Sequence, residues 1–554
     1  MTNNTAILSV DLEAYFQAEP MSRLIPPRFW PRFDLRMEES AGRALDLLDR
    51  TGAKATFFAS GWLAETCPEI VAEIVRRGHD VGERSHLPLS TEAASLAAFL
   101  KDILQSRDAV ERASGRVARG YRHGAGALPG DGLAHLEVLA RVGFDFDSSQ
   151  RPFGPAYLGR SEARRIHRVK GSGWSIAEVP LSSSTLLGIP YPVAGGVSMR
   201  LMPRSLFEAG LASRAKAGAY RHLHFHVWEL DPEQPRVSAV GGSRRARQYK
   251  NLDDMEARLE AVLGTARFGS IEGSLALPAM AAAPVVAKTT DTAPAISTDD
   301  VRNVTIVVPC YNEEETLPYL AGNLTSLEAS TAGRYRFSYV FVDDGSKDTT
   351  FAVLQRLFGG RPNCQVIKHP QNRGIAAATM TGIHAAKDEI VCGIDCDCSF
   401  DPHDLVKMIP LLTPGIDMVQ ASPYHKDGGV MNVPAWRLLL SRGCCEIYRR
   451  ILNHKFSSYT ACFRVYRRSA ISKVTVEDGG FLGIMEMFVK LDQSGSKIVE
   501  FPAVLATRLL GVSKMKTLRV IRSHLRLMAR TAMRPSMGPT PPSGGTAGQT
   551  VSAR

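Results

Sequence analysis

Tyr339-Val340-Phe341-Val342-Asp343-Asp344-Gly345-Ser346 and Glu389-Ile390-Val391-Cys392-Gly393-Ile394-Asp395-Cys396-Asp397 decide the fold of this chain. Each is a short apolar run that ends in paired carboxylates. Unbroken apolar runs of this length are the pattern of strands buried on both faces, as in a parallel sheet. Parallel strands of an open α/β sheet deliver ligand-binding residues at their carboxyl ends. Asp395 and Asp397, one residue apart just past a strand, can hold a divalent cation through oxygen ligands, and such a cation can hold a diphosphate.

The pattern extends in both directions. Val304-Thr305-Ile306-Val307-Val308 predicts a strand closed by Pro309. Residues 313–327 predict a helix, with Leu317, Leu320, Leu324 and Leu327 at helical spacing. A strand at Tyr339 to Val342 precedes a helix through Phe351, Leu354 and Phe358. Cys364 to Lys368 is the next strand, Gly374 to Ala386 the next helix, and Ile390 to Ile394 a fourth strand. This β-α-β-α order predicts a parallel, helix-covered sheet. Residues 273–300, rich in Ala, Pro and Thr, read as a linker, and the Gly/Pro/Ser/Thr-rich residues 535–554 as a disordered tail. The expected division is therefore 1–272, a linker over 273–300, 301–513, a basic helix over 514–534, and the tail.

At 554 residues the chain calls for more than one domain. A hydrophobic content of 44% with 22% charged residues suits soluble domains with sizeable cores and excludes a largely disordered chain. The net charge of +11 points to anionic partners, such as phosphates or an acidic membrane surface. Eight of the nine cysteines lie in the second half, several inside strand patterns, which predicts free thiols in a reducing compartment. No window reaches the roughly 18 apolar residues of a membrane-spanning helix. Residues 1–5 carry no basic region leading into a long apolar core, so no secretion signal is read. The expected location is cytoplasmic, peripheral on the cytoplasmic face of the membrane.

Four motifs occur in order: Val308-Pro309-Cys310-Tyr311-Asn312-Glu313-Glu314, Val342-Asp343-Asp344-Gly345-Ser346, Asn372-Arg373-Gly374-Ile375 and Asp395-Cys396-Asp397. Later come Thr460-Ala461-Cys462-Phe463-Arg464-Val465-Tyr466 and Arg508-Leu509-Leu510-Gly511-Val512-Ser513-Lys514. Together they resemble inverting family-2 glycosyltransferases close to the dolichyl- and polyprenyl-phosphate sugar synthases, over about residues 302–530. The resemblance implies a Rossmann-like, mostly parallel sheet and transfer of a sugar from a nucleotide-sugar donor to a polyprenyl phosphate or related acceptor. It implies donor contacts at Pro309, Tyr311, Glu313, Asp343, Asp344, Arg373, Gly374 and Asp395, with Mg²⁺ or Mn²⁺ on Asp395 and Asp397. Arg373-Gly374 opens a helix pattern, whose N–H groups would face phosphate. The acceptor phosphate is expected at Arg437 and Ser441, with Arg464, Arg508 and Lys514 near. A lipid phosphate oxygen is already anionic at neutral pH, so the site needs to position it rather than deprotonate it. Ser399 and Ser422-Pro423-Tyr424 depart from the family pattern, which leaves the donor's identity open.

Lys514, Lys516, Arg519, Arg522, Arg526, Arg530 and Arg534 follow without an intervening acid, beside a stripe of Leu518, Ile521, Leu525 and Met528. This predicts a basic amphipathic helix lying on an anionic membrane surface. No aromatic residues interleave with the charges, so nucleic acid is not an expected partner.

The first half carries Leu8-Ser9-Val10-Asp11-Leu12-Glu13, Arg77-Gly78-His79-Asp80-Val81, Arg119-Gly120-Tyr121-Arg122 and His224-Phe225-His226-Val227-Trp228. These resemble polysaccharide deacetylases of the NodB type, which implies a distorted (β/α) barrel. By that resemblance Asp11 is the base, His226 the general acid and Glu13 an acidic metal ligand. The HxxxH pair of zinc ligands should follow Val81, where the chain reads Gly82-Glu83-Arg84-Ser85-His86-Leu87-Pro88. At least one histidine is lost, leaving Glu13 and His86 as a weak candidate pair. A catalytic zinc needs three protein ligands, so the sequence predicts a degenerate, metal-poor deacetylase shell with weakened zinc affinity, which serves as a sugar-binding or scaffold module. The alternative is a bifunctional transferase and N-deacetylase.

Overall fold

The computed structural model describes residues 6–277 and 301–532, apart from 20, 23, 88–94, 125–127, 129–131, 154–156, 158–161, 218, 432, 434, 507 and 511–516. Side chains of 435–437 and 517–522 are also outside the description. The chain divides into two compact units: one of residues 1–30, 35–236 and 240–292, the other of 31–34, 237–239 and 293–554.

The first unit is built on one curled sheet, a half-barrel of parallel-rich strands. In chain order these are β1 (Ala6–Leu12), β2 (Thr56–Ala59), β3 (Asp80–Glu83), β4 (Gly120–Tyr121), β5 (Phe146–Asp147), β6 (His167–Gly171) and β7 (Trp174–Glu178). A hairpin, β8 (Ser183–Leu186) and β9 (Ile189–Pro192), follows, then β10 (Arg221–His226) and β11 (Phe268–Gly269). The spatial order is β10-β1-β2-β3-β4-β5-β7-β6, with β11 also on β1. β1 is buried along its whole length, as a strand covered on both faces must be. It runs parallel to β10 in a register that pairs Asp11 with His226 and Ser9 with His224. Side chains alternate across a strand, so Ser9 and Asp11 share one face of β1, and His222, His224 and His226 one face of β10.

The second unit carries a seven-stranded sheet ordered β14-β13-β12-β15-β18-β16-β19. Its strands are β12 (Arg302–Cys310), β13 (Tyr335–Asp343), β14 (Cys364–Lys368), β15 (Ile390–Gly393) and β16 (Met418–Ser422). Then come β17 (Gly429–Met431), β18 (Arg464–Arg467), β19 (Ile498–Pro502) and β20 (Val504–Ala506). β12, β13, β14 and β15 are parallel, as expected, and β18 is inserted antiparallel between β15 and β16. The first strand does not stop at Pro309; it runs on to Cys310. Its ladder with β15 ends at Val307, whose carbonyl accepts from Ile394 N, while Cys310 accepts from Asp344 N on the β13 side. Alternation turns Pro309 toward the side where the ladder has ended, so its missing N–H costs no hydrogen bond.

The helix Thr517–Ala532 exists, but its described half is not an open amphipathic face. Leu527 and Met528 are buried in the unit's core, and His524 Nδ1 meets the Tyr448 hydroxyl at 2.9 Å. Leu525 is 54% exposed, beside exposed Arg526 and Arg530. The predicted stripe is thus split, because Met528 packs inward with Leu527 and Leu525 does not. Leu518 and Ile521 have side chains outside the described residues, as does Lys514 entirely. Among the described residues no helix is long and apolar enough to cross a membrane.

Candidate functional site

In the second unit, the parallel register brings the ends of β12, β13 and β15 to one edge. Cys310 pairs with Asp343, and the sulfurs of Cys310 and Cys396 lie 3.8 Å apart, both buried. Asp343 closes β13. Its Oδ1 accepts from Ser346 N at 3.1 Å, and its Oδ2 is buried without a hydrogen-bond partner among the described residues. Asp395 and Asp397 follow β15. Burial, and next the negative charge of Asp397, push the Asp395 carboxyl up to about 7. Asp397 Oδ1 accepts from Ser399 N at 2.9 Å, and its Oδ2 lies 3.0 Å from Arg508 Nε. The same guanidinium pairs through Nη2 with Glu313. Asn312 and Cys398, beside these acids, hold left-handed backbone with φ of 51° and 52°. Such conformations in non-glycine residues concentrate at functional sites.

The donor set fits a hard divalent cation. Two carboxylates stand one residue apart, and Asp395 resists ionisation first because it is buried and then because Asp397 repels its charge; a bound cation would offset both. Asp395 and Asp397 would hold that cation, and Glu313 and Asp343 lie on neighbouring strand ends. Half-buried Pro309 and Tyr311 belong to the same edge.

Other candidates are placed differently from expectation. Asp344 is not open to a ligand. Its Oδ1 accepts from Arg373 N at 2.9 Å and meets His369 Nδ1 at 2.7 Å, while its Oδ2 accepts from Gly374 N at 2.7 Å. Nor does the helix Ile375–Ala385 present its first amides to phosphate: those of Ala376 and Ala377 donate to Gly479 O at 2.7 and 3.0 Å. Gly374, with φ of 98°, makes this close approach possible, since a Cβ there would lie 2.4 Å from Gly479 O. The Arg373 side chain is exposed. Arg464 is fully buried. Its Nε donates to Gln420 Oε1 (2.6 Å), Nη1 to Ile484 O (2.8 Å) and Nη2 to Tyr459 O (2.9 Å). Its guanidinium braces the core through these three partners. Ser441 lies half-buried on the helix Ala435–Ile451, near the Tyr424 side chain. Arg437 is on the same helix, with its side chain outside the description.

The pocket of the first unit is filled by arginine. Arg84 follows β3 and places Nη1 2.7 Å from Asp11 Oδ2 and Nη2 2.7 Å from Glu13 Oε2. Its Nη2 also donates to Gly124 O at 2.9 Å. Arg122 takes the other oxygen of Asp11, with Nη1 2.8 Å from Oδ1, and bonds Ser9 and Ser148. Burial works against the charges of Asp11 and Glu13, but Arg84 foremost among their neighbours holds both carboxyls below their ordinary range. His226 Nδ1 lies 2.5 Å from Glu13 Oε1. Burial disfavours its imidazolium; Glu13 outweighs that and raises its pKa. The metal implied by the deacetylase resemblance therefore does not fit these residues: a guanidinium already spans the carboxylates. The Glu13–His86 pairing is also corrected. His86 turns to Gln105, with Nε2 3.0 Å from Nε2 of that residue, and packs by Gly61 and Ser106. Sequence reasoning missed His224, although its position two before His226 on a strand signalled a shared face.

Comparison with known proteins agrees with this division. Residues 305–475 match the sequence model of Glycosyl transferase family 2, residues 27–145 that of Polysaccharide deacetylase, and residues 148–276 a domain of unknown function, DUF3473. The chain joins an N-terminal domain of polysaccharide-deacetylase type to a C-terminal family-2 glycosyltransferase domain. It is 29% identical over 229 residues to a dolichol-phosphate mannosyltransferase of Pyrococcus furiosus, spanning 41% of this chain and 63% of that protein. A polyprenol monophosphomannose synthase of Mycolicibacterium smegmatis is 29% identical over 38% of this chain and 80% of its own length. Among solved structures, glucosyl-3-phosphoglycerate synthase from Mycobacterium tuberculosis aligns with a TM-score of 0.33 and 20% identity, over 43% of this chain and 82% of that one.

Proposed function

We propose that the chain moves a sugar from a nucleotide-sugar donor to a polyprenyl phosphate of undecaprenyl or dolichyl type, or to a related glycan acceptor, in cell-envelope or exopolysaccharide synthesis. The observation that carries this reading is the gathering of Glu313, Asp343, Asp395 and Asp397 at the ends of three adjacent parallel strands. The two relatives named for polyprenol- and dolichol-phosphate sugar transfer support the acceptor class.

Mg²⁺ or Mn²⁺ on Asp395 and Asp397 would supply the Lewis acidity that a leaving diphosphate needs. Asp343 and Glu313 hold the nucleoside end. The acceptor's oxygen is anionic without help, so Arg437, Ser441 and Arg508 orient it for attack from the face opposite the leaving group, inverting the anomeric carbon. The helix Ala435–Ile451 exposes Leu439 (75%), Leu440 (44%) and Ile447 (41%) beside exposed Arg442, Arg449 and Arg450. An apolar and basic outer face suits a peripheral site on an anionic membrane surface, where a lipid acceptor is met.

Purified full-length protein, given UDP- and GDP-sugars with undecaprenyl phosphate and Mg²⁺ or Mn²⁺, should form a lipid-linked sugar. No product from any pair, or full activity in an Asp397→Ala variant, would sink the reading.

The N-terminal domain serves as a non-hydrolytic module that binds sugar or docks a partner. A second reading, an active N-deacetylase, is favoured by one fact: Asp11 Oδ2 and His226 Nδ1, its would-be base and acid, lie 3.7 Å apart. Zinc-dependent acetate release from N-acetylated glycans would establish it.

A further inference from the structure

We infer that Arg84 is the resident cation of the N-terminal pocket, standing where a divalent ion would sit, and that removing it uncovers a dormant metal centre made of Asp11, His224 and His226. The inference is independent of the glycosyl-transfer reading.

Asp11 and Glu13 are buried carboxylates that need a counter-ion. Arg84 meets that need with one fork, at 2.7 Å to each. A guanidinium keeps its proton at any ordinary pH, so this counter-ion is permanent. Arg122 stands on the same Asp11, and Arg151 also acts electrostatically on it. A further cation is therefore repelled while Arg84 is in place.

Behind the guanidinium the ligand geometry survives. His224 Nε2 lies 3.9 Å and His226 Nδ1 3.7 Å from Asp11 Oδ2, the oxygen that Arg84 holds. One ligand atom from each of Asp11, His224 and His226 falls within 4.8 Å of the other two. Ligands about 2.0–2.1 Å from a tetrahedral zinc stand roughly 3.3 Å from one another. Only a small contraction thus separates the observed spacing from a bound ion. The β1/β10 register fixes these side chains on rigid strands. Arg122 would keep the Asp11 carboxylate oriented through Oδ1 after Arg84 is gone. These ligands are not the HxxxH pair of the deacetylase resemblance; two come from β10, three strands from the position of Arg84 in the sheet order.

The test uses the full chain carrying Asp395→Asn and Asp397→Asn, so that the second domain's carboxylates do not count. Zinc is titrated against a chromophoric chelator. With Arg84 present, no stoichiometric zinc is expected. Arg84→Met with Glu13→Gln removes one charge of each sign; it should take up about one zinc per chain, and His224→Ala should abolish that uptake. Tight stoichiometric zinc in the presence of Arg84 overturns the inference. So does a double variant that keeps its circular dichroism and binds no more zinc than its parent. If the double variant does not fold, Arg84→Gln, which keeps hydrogen bonds but not charge, is read by the same two outcomes.

Discussion

Arg508 Nε lies 3.0 Å from Oδ2 of Asp397, so a candidate metal ligand of the transferase domain already carries a protein cation. The same guanidinium reaches Glu313, on the side where the nucleoside is proposed to bind. Arg508→Met removes a competitor for Asp397 and, in the proposed mechanism, a phosphate contact. Mn²⁺ affinity, read by electron paramagnetic resonance, should rise while sugar transfer falls at least tenfold. Weaker Mn²⁺ binding in this variant would refute the competition.

Asp397→Asn should reduce transfer by about 10²-fold or more, the scale of losing a charge-stabilising group at a reacting phosphate. Substrate dependence separates the cause: extra Mn²⁺ should restore part of the rate if the loss is in metal affinity. A rate that stays near wild type at limiting Mn²⁺ would remove Asp397 from the metal set.

The Asp395 carboxyl, pushed up to about 7, makes a signed prediction. Its unfolded pKa is near 3.9, so between those values the folded state binds the extra proton. Stability of the metal-free protein should therefore fall as pH rises from about 4 to about 7, and level off above. Metal binding needs the ionised form, so Mn²⁺ affinity should climb over the upper part of that window. Chemical denaturation and Mn²⁺ titration at several pH values test this; Glu272, also pushed up to about 7 by burial, adds a slope of the same sign, so an Asp395→Asn protein should lose only the share of one carboxyl.

Arg464→Met should unfold the second domain more readily, by about 3 kcal/mol, because it strands the buried acceptors of Gln420, Tyr459 and Ile484. A urea midpoint unchanged from wild type, with transfer lost, would instead return Arg464 to the acceptor site.

Arg84→Met alone leaves Asp11 and Glu13 without their shared counter-ion, and should cost the first domain about 3–5 kcal/mol. Adding Glu13→Gln should recover part of it, a coupling that a double-mutant cycle in urea measures directly. Strict additivity would mean that the pair does not interact.

The parallel order of β12 to β15 was legible because buried strands advertise themselves as apolar runs. Their limits were less so. β13 begins at Tyr335 because Tyr335, Phe337 and Tyr339 alternate with Arg336 and Ser338, a half-buried pattern that an unbroken-run criterion passes over. The antiparallel insertion of β18 depends on contacts between distant segments, which no local pattern records. Among the site residues, position on a strand end was readable for Asp343, Asp395 and Asp397. Orientation was not: Asp344 is adjacent to Asp343 yet turned inward onto backbone amides. Arg464 shows the same limit, since a surface arginine and a core brace look alike in one sequence. Arg84 stands in the stretch where the zinc-ligating pair is expected. Its fork between Asp11 and Glu13 required coordinates.

The inward turn of Asp344 ties a loop to the core. Its carboxylate gathers the amides of Arg373 and Gly374 and the ring of His369, all distant in sequence from β13. Those two amides sit in a connecting segment, where exchange with solvent deuterium is ordinarily fast. Here they should open only when the end of β13 opens, so their protection belongs to the sheet's cooperative unit rather than to the loop. The segment that begins with Arg373 is then expected to come apart together with the end of β13.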